Sequence, residues 1–170
     1  MAGFTKQTFE THDDYMTPKS AWEAIDKYIP KDKIIWECFY GDGTSGKNLM
    51  LLKDDIRPVI HGDIDFFKED FGEIIISNPP YSIKKQVFTR LKKLGKPFIM
   101  ICPSSMLNTK YIRELYGKNE DKLQIIIPNK RINFIKFVDG EKVPDQKNRC
   151  NFDCFYYCWK MNLPRDIVWL

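Results

Sequence analysis

Hydrophobic positions along the chain fall into short apolar runs that alternate with longer amphipathic stretches. Apolar runs of about four to eight residues, rich in β-branched residues, are typical of strands that are buried on both faces of a sheet. The runs that predict strands are KIIWECF (33–39), RPVIHGD (57–63), EIIIS (73–77), KPFIMICP (96–103), LQIIIP (123–128), RINFIKF (131–137) and CFYYCWKM (154–161). We expect the last two of these to form an antiparallel pair near the end of the chain.

Apolar residues recur at helical spacing in the stretches between these runs. They predict helices at 19–29, 44–54, 83–94 and 106–117. Strands that alternate with helices predict a single α/β domain over residues 1–170, with a mostly parallel sheet and helices on both faces. The polar stretch at 138–149 predicts a loop.

Three polar motifs fall at the carboxyl ends of predicted strands. They are ECFYGDG (37–43), HGDID (61–65) and SNPPY (77–81). In parallel sheets, ligands bind outside the carboxyl ends of the strands. We therefore expect the three motifs to line one crevice.

The segment CFYGDGTSGKN (38–48) supports two interpretations. From Gly41 it has the form G-x-x-x-x-G-K-N, which resembles a nucleotide-triphosphate P-loop but has Asn48 where a Ser or Thr must hold magnesium. From Glu37 it has the form E-x-F-x-G-x-G, the glycine turn of a methyl-donor site. In that interpretation Gly41 and Gly43 let the backbone turn tightly and approach a ligand, because neither carries a Cβ.

Acidic residues near this turn suit a methyl donor. Glu37 offers a carboxylate to an amino-acid ammonium. Asp63 lies about 26 residues further on, close to the offset at which dinucleotide folds place a ribose-binding acid, although it could also complete the metal site of a P-loop. Asp65, followed by Phe66, offers a carboxylate and a ring to the adenine of the donor.

The segment IIISNPPYS (74–82) presents Asn78 at the end of a buried strand. Pro79 and Pro80 fix φ and remove two backbone donors, and Asn78 is restricted to extended geometry because a proline follows it. The loop therefore offers the Asn78 side-chain oxygen and the Pro79 carbonyl as acceptors for a planar NH2 group, with Tyr81 placed to stack on a base. Such a site acts mainly by positioning and electrostatics.

Taken together, these motifs resemble those of S-adenosylmethionine-dependent amino-methyltransferases, especially DNA adenine-N6 methyltransferases with an NPPY motif. The resemblance covers most of the chain and also includes DDYMTP (13–18) and KRINF (130–134). It implies a Rossmann-like methyltransferase fold, S-adenosylmethionine as the cofactor, and methyl transfer to the exocyclic N6 amine of adenine in DNA.

The resemblance also implies roles for individual residues. Asn78, Pro79, Pro80 and Tyr81 match the catalytic loop, and Tyr81 and Phe134 are implied to pack on a flipped target base. The residues implied in donor binding are Tyr15, Thr17, Pro18, Glu37, Phe39, Gly41, Gly43, Asp63, Asp65 and Phe66.

The chain departs from this family in two respects. Only a short segment separates the second predicted strand from NPPY, so a strand and a helix are missing there and the roles of Asp63 and Asp65 can be exchanged. A separate target-recognition domain has no room, which leaves recognition to loops, to a homodimer or to a partner subunit. The alternatives that remain are methylation of an RNA amino group or a protein glutamine amide, an inactive methyltransferase-fold subunit that binds nucleic acid, and a nucleotide-triphosphate enzyme.

The distribution of charge favours nucleic acid, with DNA expected, as the partner. The net charge is +4, and six cations without an intervening acid lie between Lys84 and Lys96. A second basic set consists of Lys130, Arg131, Lys136, Lys147 and Arg149. Clustered cations bind phosphates, so Lys84, Lys85, Lys130 and Arg131 are predicted to contact the nucleic-acid backbone, although an ordinary solvated surface has the same composition.

Other features of the composition point to the interior of a cell. No run approaches the ~20 apolar residues of a membrane span, and the first residues lack an apolar signal core, which predicts a protein that is neither membrane-bound nor secreted. The five cysteines form no regular framework and favour reduced thiols. Cys150, Cys154 and Cys158 lack the paired spacing of zinc ligands, so no metal is predicted.

Overall fold

The computed structural model describes residues 15–118, 120, 122–138, 141–142 and 152–170. Within these residues the strands are β1 Tyr15–Met16, β2 Ile35–Glu37, β3 Leu51–Leu52, β4 Asp55–Ile56, β5 Val59–His61, β6 Ile74–Ser77, β7 Phe98–Pro103, β8 Gln124–Ile127, β9 Ile135–Val138, β10 Glu141–Lys142, β11 Cys154–Trp159 and β12 Ile167–Trp169. The α-helices are α1 Lys19–Glu23, α2 Thr44–Met50, α3 Lys84–Leu94 and α4 Lys110–Tyr116. Short 3-10 helices cover Asp26–Tyr28, Tyr81–Ile83 and Ser104–Asn108.

Seven strands form the central sheet in the order β12-β8-β11-β7-β6-β2-β5. β5, β2, β6 and β7 are parallel to one another, and β8 is parallel to β12. β11 lies antiparallel between β7 and β8, so it is the one strand of this sheet that runs against the other six. The fold is therefore α/β with a mixed sheet, which is compatible with a Rossmann-like arrangement.

The expected pairing of the last two strand-like runs is wrong. β9 pairs with β1 and β10 in a separate three-stranded sheet. β11 does run antiparallel, but β7 and β8 occupy both of its edges, so no edge remains for β9. The central sheet ends instead at β12, for which no strand was predicted although residues 167–170 are an apolar run. Most of the predicted loop at 138–149 lies outside the described residues.

Helices cover both faces of the central sheet. Tyr156 and Tyr157 are neighbours on β11, so their side chains point to opposite faces. Tyr156 Oη donates a hydrogen bond to the carbonyl of Ala21 in α1 at 2.6 Å. The ring of Tyr157 contacts Phe88 in α3, with centroids 6.0 Å apart. The two helices therefore lie on opposite sides, as the sequence predicts.

Three of the predicted helices are shorter than expected. In place of the helix predicted at 106–117, a 3-10 helix covers Ser104–Asn108 and α4 begins at Lys110. α1 ends at Glu23, and a 3-10 turn follows in place of a continuing helix. α2 ends at Met50 because β3 and β4 form a hairpin directly after it. Lys53 and Asp54 form the hairpin turn at φ values of 46° and 66°, the left-handed conformation that two-residue hairpin turns favour.

The connection from β5 to β6 contains no strand and no α-helix over residues 62–73. This confirms the missing strand and helix that the short spacing implies, and it leaves β5 at the edge of the sheet. Asp65 shapes the connection, because its Oδ1 accepts a hydrogen bond from the backbone N–H of Phe67 at 2.9 Å. Phe66 is fully buried against Trp36, with ring centroids 5.6 Å apart.

Candidate active site

A cavity of about 230 Å³ lies beyond the carboxyl ends of β2, β5 and β6. Because these strands are parallel neighbours, the three motifs that follow them meet at one edge of the sheet. The residues of the lining that the sequence predicts are Tyr15, Thr17, Glu37, Phe39, Gly41, Asp63, Asn78, Pro79, Pro80 and Tyr81. The lining also contains Met16, Cys38, Tyr40, Ser45, Gly62 and Ile64, which the sequence did not single out.

The glycine turn forms one wall of this cavity. Gly41 and Gly43 have φ values of 56° and 81°, a conformation that L side chains rarely adopt. A Cβ on Gly41 would lie 3.0 Å from the sulfur of Met16, and a Cβ on Gly43 would lie 2.9 Å from the hydroxyl of Tyr40. Gly41 lines the cavity itself, whereas Gly43 precedes α2 and supports the turn from behind.

Glu37 places a buried carboxylate at the end of β2. Its Oε1 accepts a hydrogen bond from Ser77 Oγ, while its Oε2 is buried and has no hydrogen-bond partner within the described part of the chain. Burial raises the pKa of Glu37 to about 8, against the Ser77 hydrogen bond and the nearby Phe39 backbone N–H, which lower it. A bound cation would stabilise the ionised carboxylate and offset the cost of burial.

Asn78 follows β6 and has its side-chain amide oriented by the opposite wall. Its Nδ2 donates to the backbone carbonyl of Tyr15 at 3.4 Å. Its Oδ1 is buried and lacks a partner among the residues that the structure describes. Thr17, on the same wall as Tyr15, also has a buried hydroxyl without such a partner. Both oxygens therefore remain available to a ligand that donates hydrogen bonds.

The structure separates the two acids that the sequence left interchangeable. Asp63 lines the cavity with an exposed side chain. Asp65 lies outside the lining and instead holds its own turn together through Phe67 and an ion pair with Lys68 at 3.2 Å. Phe66, expected beside Asp65 at the donor adenine, packs in the core and does not line the cavity, whereas Ile64 does.

Aromatic residues meet on the side of the cavity where the target base was expected. Tyr81 lines the cavity and is 8% exposed, and its hydroxyl lies 3.4 Å from the sulfur of Cys154. Phe134 is buried and contacts the edge of the Tyr15 ring at a centroid distance of 6.2 Å. It lies outside the lining, so it supports Tyr15 from behind. Phe152, which the sequence did not indicate, contacts both Tyr15 and Tyr81.

The remaining predicted residues that the structure describes lie outside the lining of the cavity. Pro18 precedes α1. Lys84 is held by a 2.9 Å hydrogen bond from its Nζ to the carbonyl of Tyr81, and Lys85 lies exposed on α3. Lys130 is exposed, and Arg131 pairs with Asp153 at 2.7 Å. Asp13 and Asp14 of DDYMTP, and Lys147 and Arg149 of the second basic set, lie outside the described residues.

The first basic set does not form a single surface. Lys92 lies over the rings of Tyr116 and Trp159, and Lys96 donates hydrogen bonds to the backbone carbonyls of Phe71 and Gly72. These two cations are therefore engaged by other parts of the fold, and the first basic set leaves fewer cations near the cavity than the sequence suggests.

Two contacts near the cavity were missed at the level of sequence. Ser77 precedes the NPPY tetrapeptide and fixes Glu37, a role that becomes visible only when β6 is placed beside β2. Gly46 packs α2 against β5 so closely that a Cβ at this position would overlap the ring of His61. The G-x-x-x-x-G-K spacing thus contains a packing glycine, and Lys47 is exposed outside the cavity.

Cysteines contribute to the core. Cys38, Cys102, Cys154 and Cys158 are buried free thiols, and burial raises the pKa of Cys38, Cys102 and Cys158. No group of three or more His, Cys, Asp and Glu residues that could hold a metal ion occurs in the described ranges. Cys150 lies outside them.

Comparison with known proteins gives no family for this chain. No protein-family model matches it, and no curated protein sequence matches it at a significant level. Within the described part of the chain, no helix has the length and apolar character needed to cross a membrane.

Proposed function

We propose that this protein transfers a methyl group from S-adenosylmethionine to the exocyclic N6 amine of adenine in DNA. The observation that carries the proposal is a set of three buried oxygens around one cavity, Thr17 Oγ1, Glu37 Oε2 and Asn78 Oδ1, which have no hydrogen-bond partners among the described residues. Buried polar atoms are almost always paired in folded proteins. Three such acceptors around one space favour a ligand rich in N–H and O–H groups.

The donor side of the cavity suits an amino acid joined to a nucleoside. Glu37 would pair with the ammonium, and Asp63, at the exposed side, would accept hydrogen bonds from the ribose hydroxyls. Ile64 would contact the adenine in place of Phe66, because Ile64 lines the cavity. Gly41 keeps this wall free of side-chain atoms. S-adenosylmethionine would supply a methyl group that its sulfonium already activates.

The acceptor side suits a planar amino group. Asn78 Oδ1 and the Pro79 carbonyl would each accept one N–H bond, which keeps the nitrogen lone pair available for the methyl carbon. The nitrogen would form the new bond to the methyl carbon as the bond between that carbon and the donor sulfur breaks, with S-adenosylhomocysteine as the leaving group, and one proton of the nitrogen would then leave to solvent. Tyr81 would stack on the base, which must be unstacked from its neighbours to reach this depth.

Two competing functions receive less support. A P-loop enzyme needs its lysine near the phosphates, whereas Lys47 is exposed and outside the cavity. An inactive subunit would have no need for acceptors left unpaired in a buried wall. RNA amino groups and glutamine amides are also planar NH2 groups, so they are alternative substrates, and a methyl-transfer assay distinguishes them from DNA.

Calorimetry and a methyl-transfer assay test this proposal. We expect the purified protein to bind S-adenosylmethionine, and binding of ATP–magnesium without binding of the donor would refute the assignment. Tritiated methyl donor should label DNA in preference to RNA and protein, and nucleoside analysis should identify N6-methyladenine. Recovery of methylcytosine or methylglutamine as the product would refute the adenine assignment.

A further inference from the structure

A second depression, of about 680 Å³, lies between α3 and the segment that follows β5. Two half-buried apolar residues line it, Phe67 and Ile83. The other side is formed by Lys85, Gln86, Thr89, Arg90 and Lys93, which recur at helical spacing and share one face of α3. We call this depression the α3 groove.

The α3 groove continues from the candidate active site. Phe67 follows the cavity-lining Ile64 by three residues along the same segment, and Ile83 follows the cavity-lining Tyr81 by two. The chain segments that wall the cavity therefore continue into the walls of the groove, although the two linings share no residue. A polymer with one unit in the cavity would have a neighbouring unit close to the groove.

The charge of the groove is positive and is not neutralised locally. Neither Lys85 nor Lys93 has an ion-pair partner among the described residues, and no carboxylate lines the groove. Arg90 is held in place by a hydrogen bond from Nη2 to the carbonyl of Glu69 at 3.1 Å. Its Nε is a buried donor with no acceptor in the described ranges. The groove thus offers several hydrogen-bond donors, and its lining contains no carboxylate.

Two of the three acidic residues near the groove are paired with lysines. Asp65 pairs with Lys68, and Asp70 pairs with Lys96, whereas Glu69 is exposed beside Arg90. Three cations and no carboxylate line the groove itself, so its potential is positive. Since a phosphodiester backbone carries one negative charge per nucleotide, it complements a row of cations spaced by about one helical turn, ~5.4 Å.

We propose that the α3 groove binds the single-stranded nucleic acid that flanks the target nucleotide, with phosphates on Lys85 and Lys93 and an unstacked base against Phe67 and Ile83. Aromatic and apolar surface beside cations is the chemistry that holds single strands, because an unpaired base exposes its face. Bases in a duplex are stacked on one another and present no face to Phe67. The choice of a polynucleotide rests on the proposed function, whereas the binding itself can be tested without methyl transfer.

Binding of a fluorescent oligothymidine of about twelve nucleotides tests this site, because it contains no adenine and requires no methyl donor. We expect fluorescence anisotropy to show binding by the wild-type protein. The double variant Lys85→Ala/Lys93→Ala should bind about tenfold more weakly and lower the slope of log K against log salt by about 1.4, the value for two lost phosphate contacts. The variant Lys85→Arg/Lys93→Arg retains both charges and should keep wild-type affinity.

A matched control removes two exposed lysines far from the groove. Lys27→Ala/Lys31→Ala changes the net charge by the same amount near the amino ends of the parallel strands, so its affinity should stay within twofold of wild type. An equal loss of oligothymidine affinity in both double variants would show that net charge alone drives binding, and it would overturn the assignment of the α3 groove as the binding site. Absence of binding, or a preference for duplex of equal length, would overturn it as well.

Photocrosslinking locates the base. An oligothymidine with one 5-iodouracil should crosslink to Phe67, as identified by mass spectrometry of the digested complex. Crosslinks confined to other aromatic residues would contradict the proposed binding site.

Two outcomes separate this proposal from the proposed function. If the groove binds oligothymidine but no substrate is methylated, the proposed function is wrong and the binding site in the groove is supported. If DNA is methylated with the same KM in the Lys85→Ala/Lys93→Ala variant, the groove fails and the proposed function stands.

Discussion

Ser77 Oγ donates a hydrogen bond to Glu37 Oε1, and both side chains are buried where β6 and β2 end side by side. The serine thus fixes one oxygen of the carboxylate and leaves the other oxygen without a partner in the described part of the chain. A carboxylate held in this way is oriented before any ligand arrives, which lowers the entropic cost of binding.

Replacing Ser77 with alanine tests this orientation. Without the hydroxyl, Glu37 loses a hydrogen bond that favours its charged form, so its pKa should rise further above 8. We expect the donor to bind about tenfold more weakly at pH 7, as calorimetry would measure, with the loss recovered in part at higher pH. Ser105→Ala, at an exposed position, is the matched control. Donor affinity that is equal in both variants would contradict the role of Ser77.

The stability of the protein should depend on pH through Glu37. Its pKa is about 8 in the folded state and 4.5 in the reference state, so between these values the folded chain keeps a proton that the unfolded chain releases. The free energy of unfolding should therefore fall as the pH rises from 4.5 to 8, by at most about 1.4 kcal/mol per pH unit from this group. Urea unfolding should show a smaller fall for Glu37→Gln. Identical pH profiles for the two proteins would exclude a buried, protonated Glu37.

Binding of the donor should release a proton at neutral pH. The ammonium of the donor favours the ionised form of Glu37, whereas the ligand-free site favours the neutral form. Calorimetry in two buffers with different ionisation enthalpies should report release of up to about one proton per donor bound. The release should disappear in Glu37→Gln. Binding without proton release in the wild-type protein would place the ammonium elsewhere.

Asn78→Ala should lower methyl transfer by about 10²–10³ and leave the fold and the binding of the methyl donor intact. The side chain is half-buried, and its Oδ1 has no partner within the described residues, so its removal breaks no internal contact of that atom. Loss of one positioned acceptor in an active site lowers kcat by about 10²–10³. Asn78→Asp keeps an acceptor at the same place and should retain part of the activity. If Asn78→Ala lost affinity for S-adenosylmethionine in proportion to its loss of activity, Asn78 would be assigned to binding of the methyl donor and not of the target amine.

Gly46 and Lys47 should respond in opposite ways to substitution. A Cβ at Gly46 would overlap His61, so Gly46→Ala should destabilise the protein by about 1–3 kcal/mol through overpacking. Lys47 is exposed and outside the cavity, so Lys47→Ala should leave donor affinity nearly unchanged. A large loss of affinity in Lys47→Ala would restore the P-loop interpretation.

Much of the central sheet could be predicted from the sequence because its inner strands are continuous apolar runs. β6 and β7 match EIIIS and KPFIMICP closely, since strands buried on both faces carry a strong local signal. The meeting of Glu37, Asp63 and Asn78 in one cavity also follows from sequence, because each residue comes at or just after the carboxyl end of a parallel strand.

The remaining features depend on contacts between distant segments. β9 is as apolar as a strand of the central sheet, but a strand pattern does not specify its partner, and β1 was too short to be recognised. Phe66 packs in the core and Ile64 lines the cavity, in a segment whose course after β5 is shaped by the hydrogen bond from Phe67 to Asp65. Such side-chain directions in irregular segments have no periodicity that a sequence could reveal.

The pairing of β1 with β9 connects the side-chain amide of Asn78 to the second sheet. Tyr15 is in register with Lys136, and its carbonyl accepts the hydrogen bond from Asn78. A shift of β9 would therefore move the acceptor that decides which end of the Asn78 amide faces the cavity. A molecule that binds against β9 and β10 would therefore change the orientation of the Asn78 amide, so binding at the second sheet would be coupled to the geometry of the cavity.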